Sequence, residues 1–264
     1  MPFNVVTIST GGEWFDYHLR RFLWQAKQVM PNANYYLILV EHPDDVSDKV
    51  EELRRRAKPF FTKIAIARDL AKWPGRLLYF DMLKAHCLDP FGLKEAAFLD
   101  VDCDIVKSIE PLQDMHTDKN ILWMKDLMPN AGLLDNMLRA FKLPTGGPYC
   151  DTGALYLRRS YGNEFRQAVV AVKKSGVLNI ANDFVPGPKI WELVIRGSGS
   201  QAEAPYEYNT AHWRVDLAGK ANVVHFIGFR GKLERKFCDL HRLPGALVYA
   251  TTPADIPFEW LPKR

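Results

Sequence analysis

The chain holds only four cysteines among its 264 residues, Cys87, Cys103, Cys150 and Cys238. They are scattered and form no Cys-x-x-Cys pair, which argues against a disulfide framework and a zinc knuckle. Reduced thiols filling the core are expected. Long apolar runs are missing as well. The longest uninterrupted one, Tyr35–Val40, has six residues, against the roughly 20 that a membrane-spanning helix needs. The N-terminus, Met1-Pro2-Phe3-Asn4, carries no basic segment leading into an apolar stretch. No secretory signal is read there, and a cytoplasmic chain is expected. Neither sign of charge dominates: 35 basic residues against 31 acidic ones give a net charge of +4. That suits an anionic substrate without implying a nucleic-acid partner. Internal repeats and low-complexity linkers are also absent. What remains is the ordinary globular mixture, 47% hydrophobic and 25% charged, which excludes a disordered, collagenous or coiled-coil chain.

The hydrophobic pattern alternates between two periods. Phe3–Ser9 reads as a strand that stops at Gly11-Gly12. Trp14–Met30 has helical spacing, with Phe15, Leu19, Phe22, Leu23 and Ala26 on one face. Tyr35–Val40 is continuously apolar, as in a buried parallel strand. Val46–Ala57 reads as a charged helix in which Arg54, Arg55 and Arg56 form a solvated face. Phe60–Ala67 is a strand, Arg76–Leu88 a helix and Ala96–Leu99 a short buried strand. Strand and helix in strict alternation predict an α/β fold, a mostly parallel central sheet with helices on both faces. Further on, strands are expected at Ile121–Met124, Cys150–Leu157 and Asn222–Ile227, and helices at Asn130–Phe141, Tyr161–Lys174 and Asn182–Ile195. Gly197–Ser200 reads as a flexible turn.

Ligands of such sheets sit beyond the carboxyl ends of the strands, so the residues after Leu99 matter most. They run Asp100-Val101-Asp102-Cys103-Asp104. Three acidic residues at alternate positions point to one side of an extended chain. Their carboxylates repel unless a cation or a protonation shift compensates. Oxygen ligands of this kind favour Mg²⁺ or Mn²⁺ over zinc. An EF-hand is excluded, because counting from Asp100 puts Ile105 and Pro111 where that loop needs Gly and Glu. A phosphotransferase with Asp100 as nucleophile is a rival reading, although such enzymes usually carry their aspartate after the first strand.

Phe98–Leu112, FLDVDCDIVKSIEPL, resembles the Asp-x-Asp segment of GT-A-fold glycosyltransferases of the family 8 type, which includes glycogenin and lipopolysaccharide galactosyltransferases. Asp104 is extra to that pattern. Tyr149–Leu157 is similar to the family's Phe-Asn-Ser/Ala-Gly strand, with Asp151 and Gly153 on its polar and glycine positions. Asp183 matches one residue of a later Asp-Gln-Asp segment. Val223–Gly228 resembles the family's His-Tyr/Phe-x-Gly segment, but Lys232 falls one place late and no Pro-Trp follows it.

The resemblance implies a single GT-A-like domain over 1–264. Residues 1–106 would bind the nucleotide sugar; 107–264 would bind the acceptor and close over the site. It implies a metal-dependent hexosyltransferase, using a UDP-sugar donor and retaining configuration. Mn²⁺ or Mg²⁺ would be held by Asp100, Asp102 and His225. Thr7 and Ser9 would meet the nucleoside, and Asp100 the ribose. Arg76 or Lys84 would approach the nucleotide sugar. Gly153 and Gly228 would permit close approach, and Arg230 or Lys232 would pair with the diphosphate. Asp151 and Asp183 would act at the sugar; Trp191 and Trp213 are read either as stacking platforms on a sugar face or as core packing. The acceptor would be a glycan or another hydroxyl compound. A hydroxymethylated DNA base as acceptor, or a noncatalytic nucleotide-sugar or glycan-binding protein, are the other readings.

Overall fold

The computed structural model describes residues 2–12, 14–41, 47–68, 76–125, 131–180, 186–212, 214, 217 and 219–227. In chain order the strands are β1 (Asn4–Ser9), β2 (Asn34–Val40), β3 (Lys63–Ala67), β4 (Ala96–Leu99), β5 (Cys103–Ile105), β6 (Ile121–Lys125), β7 (Cys150–Leu157), β8 (Gln201–Glu203), β9 (Thr210–Ala211) and β10 (Val223–His225). The helices are α1 (Arg20–Val29), entered through a wide π turn at Trp14–Leu19, α2 (Ser47–Ala57), α3 (Arg76–Ala85), α4 (Ala131–Ala140), α5 (Gly162–Ser175) and α6 (Pro186–Ser198). Gly197 and Ser198 close α6 rather than forming a loose turn, and Ser198 donates to the Ile195 carbonyl at 2.8 Å.

Seven strands form one sheet in the order β3-β2-β1-β4-β7-β6-β8. The β3-β2-β1-β4 half is parallel throughout, as the strand–helix alternation predicts. β7 runs antiparallel to both β4 and β6. The pleat sends Val5, Leu37, Leu39, Ala97 and Leu99 to one face, where Phe15, Leu19, Phe22 and Leu53 cover them. Val6, Ile8, Ile38, Phe98, Leu155 and Leu157 face the other way, under Tyr79, Met82, Phe165, Ile190 and Trp191. Trp191 is therefore core rather than a sugar platform: it is fully buried, 5.7 Å from the Phe165 ring. Trp213 lies outside the described residues.

The acidic segment is not one extended run. β4 stops at Leu99, and a turn closed by the Cys103 N–H on the Asp100 carbonyl at 3.0 Å carries Val101 and Asp102. β5 then starts in a second, three-stranded sheet, β5-β10-β9. The three carboxylates consequently go to three different partners. Asp104 leaves the site altogether and meets Arg21 of α1 at 2.9 Å, with both side chains buried. Arg158 likewise turns inward, donating to the carbonyls of Gln113, Met115 and Lys119 at 2.8–2.9 Å. Arg54, Arg55 and Arg56 are exposed on α2. Among the described residues no helix is long and apolar enough to cross a membrane.

Candidate functional site

At the carboxyl end of the parallel strands lies a cavity of about 430 Å³, lined by Ser9 and Thr10, by Leu77, Phe80, Asp81 and Lys84, and by Asp100–Asp102. Its three walls follow from simple periodicity. β1 ends there, the turn after β4 ends there, and residues 77, 80, 81 and 84 share one face of α3. The size falls within the range of small-ligand sites. Thr7 does not reach the cavity lining. It is 1% exposed inside β1, and its hydroxyl has no hydrogen-bond partner among the described residues. Ser9 does reach it, with its hydroxyl donating to the Thr10 carbonyl at 3.2 Å.

Lys84 is the cation of this wall. Its Nζ lies 3.0 Å from Asp100 Oδ2, 3.5 Å from Asp81 Oδ1, 3.2 Å from the Thr152 carbonyl and 3.4 Å from the Thr152 hydroxyl. Burial alone would lower its pKa, but Asp100 and Asp81 outweigh it and push it above the usual lysine value. Burial in turn pushes Asp100 up to about 6, against the pull of Lys84. Asp81 is raised for the same reason. The Asp81 carboxylate rests on Gly187 of α6, where any side chain would overlap it.

The second cluster joins the turn after β4 to β10. His225 Nε2 lies 3.4 Å from Asp102 Oδ1, and Nδ1 lies 3.3 Å from Asp151 Oδ2. β10 is held in place by its ladder with β5 and by the Phe226 N–H on the Asp102 carbonyl at 2.9 Å. Burial would depress the His225 pKa, but Asp151 and Asp102 together push it up to about 10. The ring packs on Gly153, and a Cβ there would overlap the imidazole. Gly153 thus makes room for His225. Asp151 accepts the Gly153 N–H at 2.8 Å and is itself held below the usual carboxylate range, burial being outweighed by His225.

The donor set suits a divalent cation. A carboxylate and an imidazole are oxygen and nitrogen ligands acceptable to Mn²⁺. Contacts of 3.3 and 3.4 Å are long for charge-assisted hydrogen bonds, so a cation in place of the imidazolium proton has partners to gain. The ligand atoms of Asp102, Cys103 and His225 all lie within 4.8 Å of one another. The Asp100 carboxylate belongs to Lys84 instead.

Lys84, Asp100, Asp102, Asp151, Gly153, His225 and Ser9 are thus brought together. Arg76 opens α3, and its side chain lies outside the described set, as do Asp183, Gly228, Arg230 and Lys232. Three participants were not read from the sequence. Asp81 had a signal, since Asp and Lys three apart on an apolar helix face are neighbours. Thr152 acts through its carbonyl and hydroxyl. Asn209, which helps hold Asp151 below the usual carboxylate range, comes from a 3₁₀ turn with no readable pattern.

No protein-family model matches the chain, and no curated relative does either. Solved structures do. The galactosyltransferase LgtC, in complex with donor and acceptor sugar analogues, is 13% identical over 86% of this chain and 87% of its own, with a TM-score of 0.62. The glycosyltransferase GlyE of Streptococcus pneumoniae is 10% identical over 86% of this chain and 55% of its own, with a TM-score of 0.58. Mouse xyloside xylosyltransferase 1 is 12% identical over 85% of this chain and 97% of its own, with a TM-score of 0.52. The chain has the GT-A fold of these proteins.

Proposed function

We propose that the protein is a glycosyltransferase that moves a hexose from a UDP-sugar to an acceptor hydroxyl, with retention of configuration and with Mn²⁺ or Mg²⁺ as cofactor. The observation that carries this reading is the meeting of Asp102 and His225, from segments far apart in sequence, beside a cavity walled by Ser9, Lys84 and Asp100. Four carboxylates (Asp81, Asp100, Asp102, Asp151) face one ammonium and one imidazolium. Once His225 gives up its proton to act as a ligand, the carboxylates outweigh Lys84, and a divalent ion offsets that excess negative charge. Asp102 and His225 would hold that ion, and Asp151 would fix the ring from its other nitrogen, the usual support for a metal-bound histidine. When bound, the ion stabilises negative charge developing on a departing diphosphate.

The chain's own groups supply the rest. Asp100, steadied by Lys84, accepts hydrogen bonds from ribose hydroxyls. Ser9 and Thr10 border the nucleoside end. Asp151 and Asp183 contact the sugar, and Arg230 or Lys232 the phosphates. Residues 1–106 bind the donor and 107–264 the acceptor. No side chain of the cluster is placed as an evident nucleophile, so attack on the sugar from the face of the leaving phosphate is the reading adopted. Incubating purified protein with UDP-glucose and UDP-galactose tests it. UDP release that needs Mn²⁺ or Mg²⁺ and is lost in Asp102→Asn is expected. Full turnover in excess chelator contradicts the metal role, and tighter binding of GDP than UDP contradicts the donor.

A further inference from the structure

We propose that Cys103 makes this centre a binding site for thiophilic divalent cations, Zn²⁺, Co²⁺ or Cd²⁺, ligated by Cys103 Sγ together with Asp102 and His225. The inference rests on the reading of Asp102 and His225 as cation ligands and adds a soft third donor to them. In the β5–β10 ladder Cys103 stands directly opposite His225. Residues paired across antiparallel strands project to the same face with their Cβ atoms close. Asp102 precedes Cys103 on the turn. Each of the three has one ligand atom within 4.8 Å of the other two, and all three are buried.

A tetrahedral zinc site has neighbouring ligand atoms about 3.3–3.8 Å apart, from its usual bond lengths of about 2.0–2.3 Å. Contracting the observed triangle needs side-chain shifts of about 1 Å, which rotamer adjustment supplies. The thiol lies 3.7 Å from the Gly153 carbonyl, a weak S–H contact, and Gly153 also packs against the His225 ring. One carboxylate, one imidazole and one thiolate form a three-ligand set that leaves a fourth position open, as zinc accepts. A site of oxygen and imidazole ligands prefers no thiophilic ion beyond the general affinity order; a thiolate does. On binding, the Cys103 S–H proton and the His225 proton pass to the buffer, and no atom changes oxidation state.

The test is a Co²⁺ titration of the reduced full-length protein, followed by absorbance, with Mn²⁺ binding measured on the same preparation. A thiolate-to-cobalt charge-transfer band in the near ultraviolet, absent from Cys103→Ser and Cys103→Ala, is the expected result. Zn²⁺ affinity should fall in both variants by at least about tenfold more than Mn²⁺ affinity does, because only the softer ion gains from a thiolate. A wild-type protein that binds Mn²⁺ but shows no such band, or a band that persists in Cys103→Ser, overturns the inference and leaves the Mn²⁺ site standing. Failure to bind any of these ions overturns both readings. Should both Cys103 variants fail to fold, a band retained in each of Cys87→Ala, Cys150→Ala and Cys238→Ala assigns it to Cys103, and its loss in any of them overturns the inference.

Discussion

Lys84 faces four oxygen atoms with only three N–H donors, so its work is inside the protein. It keeps half-buried Asp100 and buried Asp81 in place at a cavity wall, where the Asp81 carboxylate would otherwise be buried with its charge uncompensated. Lys84→Met should lower stability by about 3–5 kcal/mol, the usual result of removing one member of a buried ion pair. Denaturant unfolding measures this, and a loss under about 1 kcal/mol would contradict it. His225 behaves differently, because its proton competes with a metal ion. Its folded pKa is about 10 against the ordinary 6.5. The proton therefore stabilises the metal-free fold fully below pH 6.5, and that contribution disappears as pH rises towards 10. Metal binding has the opposite slope, since the ring must lose that proton first. Mn²⁺ affinity should tighten about tenfold per pH unit between pH 7 and 9, while the metal-free melting temperature declines. Titrations at pH 7, 8 and 9 check both, and a pH-independent affinity would remove His225 from the ligand set.

The elements that carry these residues differ in how plainly the sequence announces them. β2 and β4 are readable because each is an almost unbroken apolar run buried on two faces. β10 lies inside the strand expected at Asn222–Ile227, whereas β5 and β9 span only three and two residues, too few for any period to emerge. That is why Asp100, Asp102 and Asp104 read as one alternating strand, when a turn closed by the Cys103 amide divides them. The Asp104 partner, Arg21, lies on a helix distant in sequence, and only tertiary packing joins them. This pair ties β5 to α1. Asp104→Asn should cost about 3–5 kcal/mol, whereas Arg21→Met with Asp104→Leu should recover most of it; chemical denaturation of single and double variants separates the two. Gly153→Ala tests the contact between β7 and β10. The added methyl displaces the imidazole, so Mn²⁺ affinity should fall by about 10- to 100-fold. Unchanged affinity would mean that the ring position does not matter.

Seen across the chain, the ends of β1 and β4 and one face of α3 converge on one cavity, and the small second sheet brings His225 back to Asp102 at its edge. The order of the motifs in the sequence was enough to anticipate that convergence, since Asp100, Asp102, Asp151, Gly153 and His225 all meet. Their individual partners were not legible: which aspartate pairs with Lys84, which with His225 and which with Arg21 depends on turns and distances rather than on residue type. The GT-A architecture is shared with LgtC at 13% identity, so the fold persists although most residues differ. The most direct test is calorimetric titration of UDP into the wild-type protein and Asp102→Asn, each with Mn²⁺ and with chelator. Binding to the wild type that weakens at least about tenfold in chelator, and no metal enhancement in Asp102→Asn, are the predicted results. Equal UDP affinity in all four titrations, or no binding in any, would contradict the account.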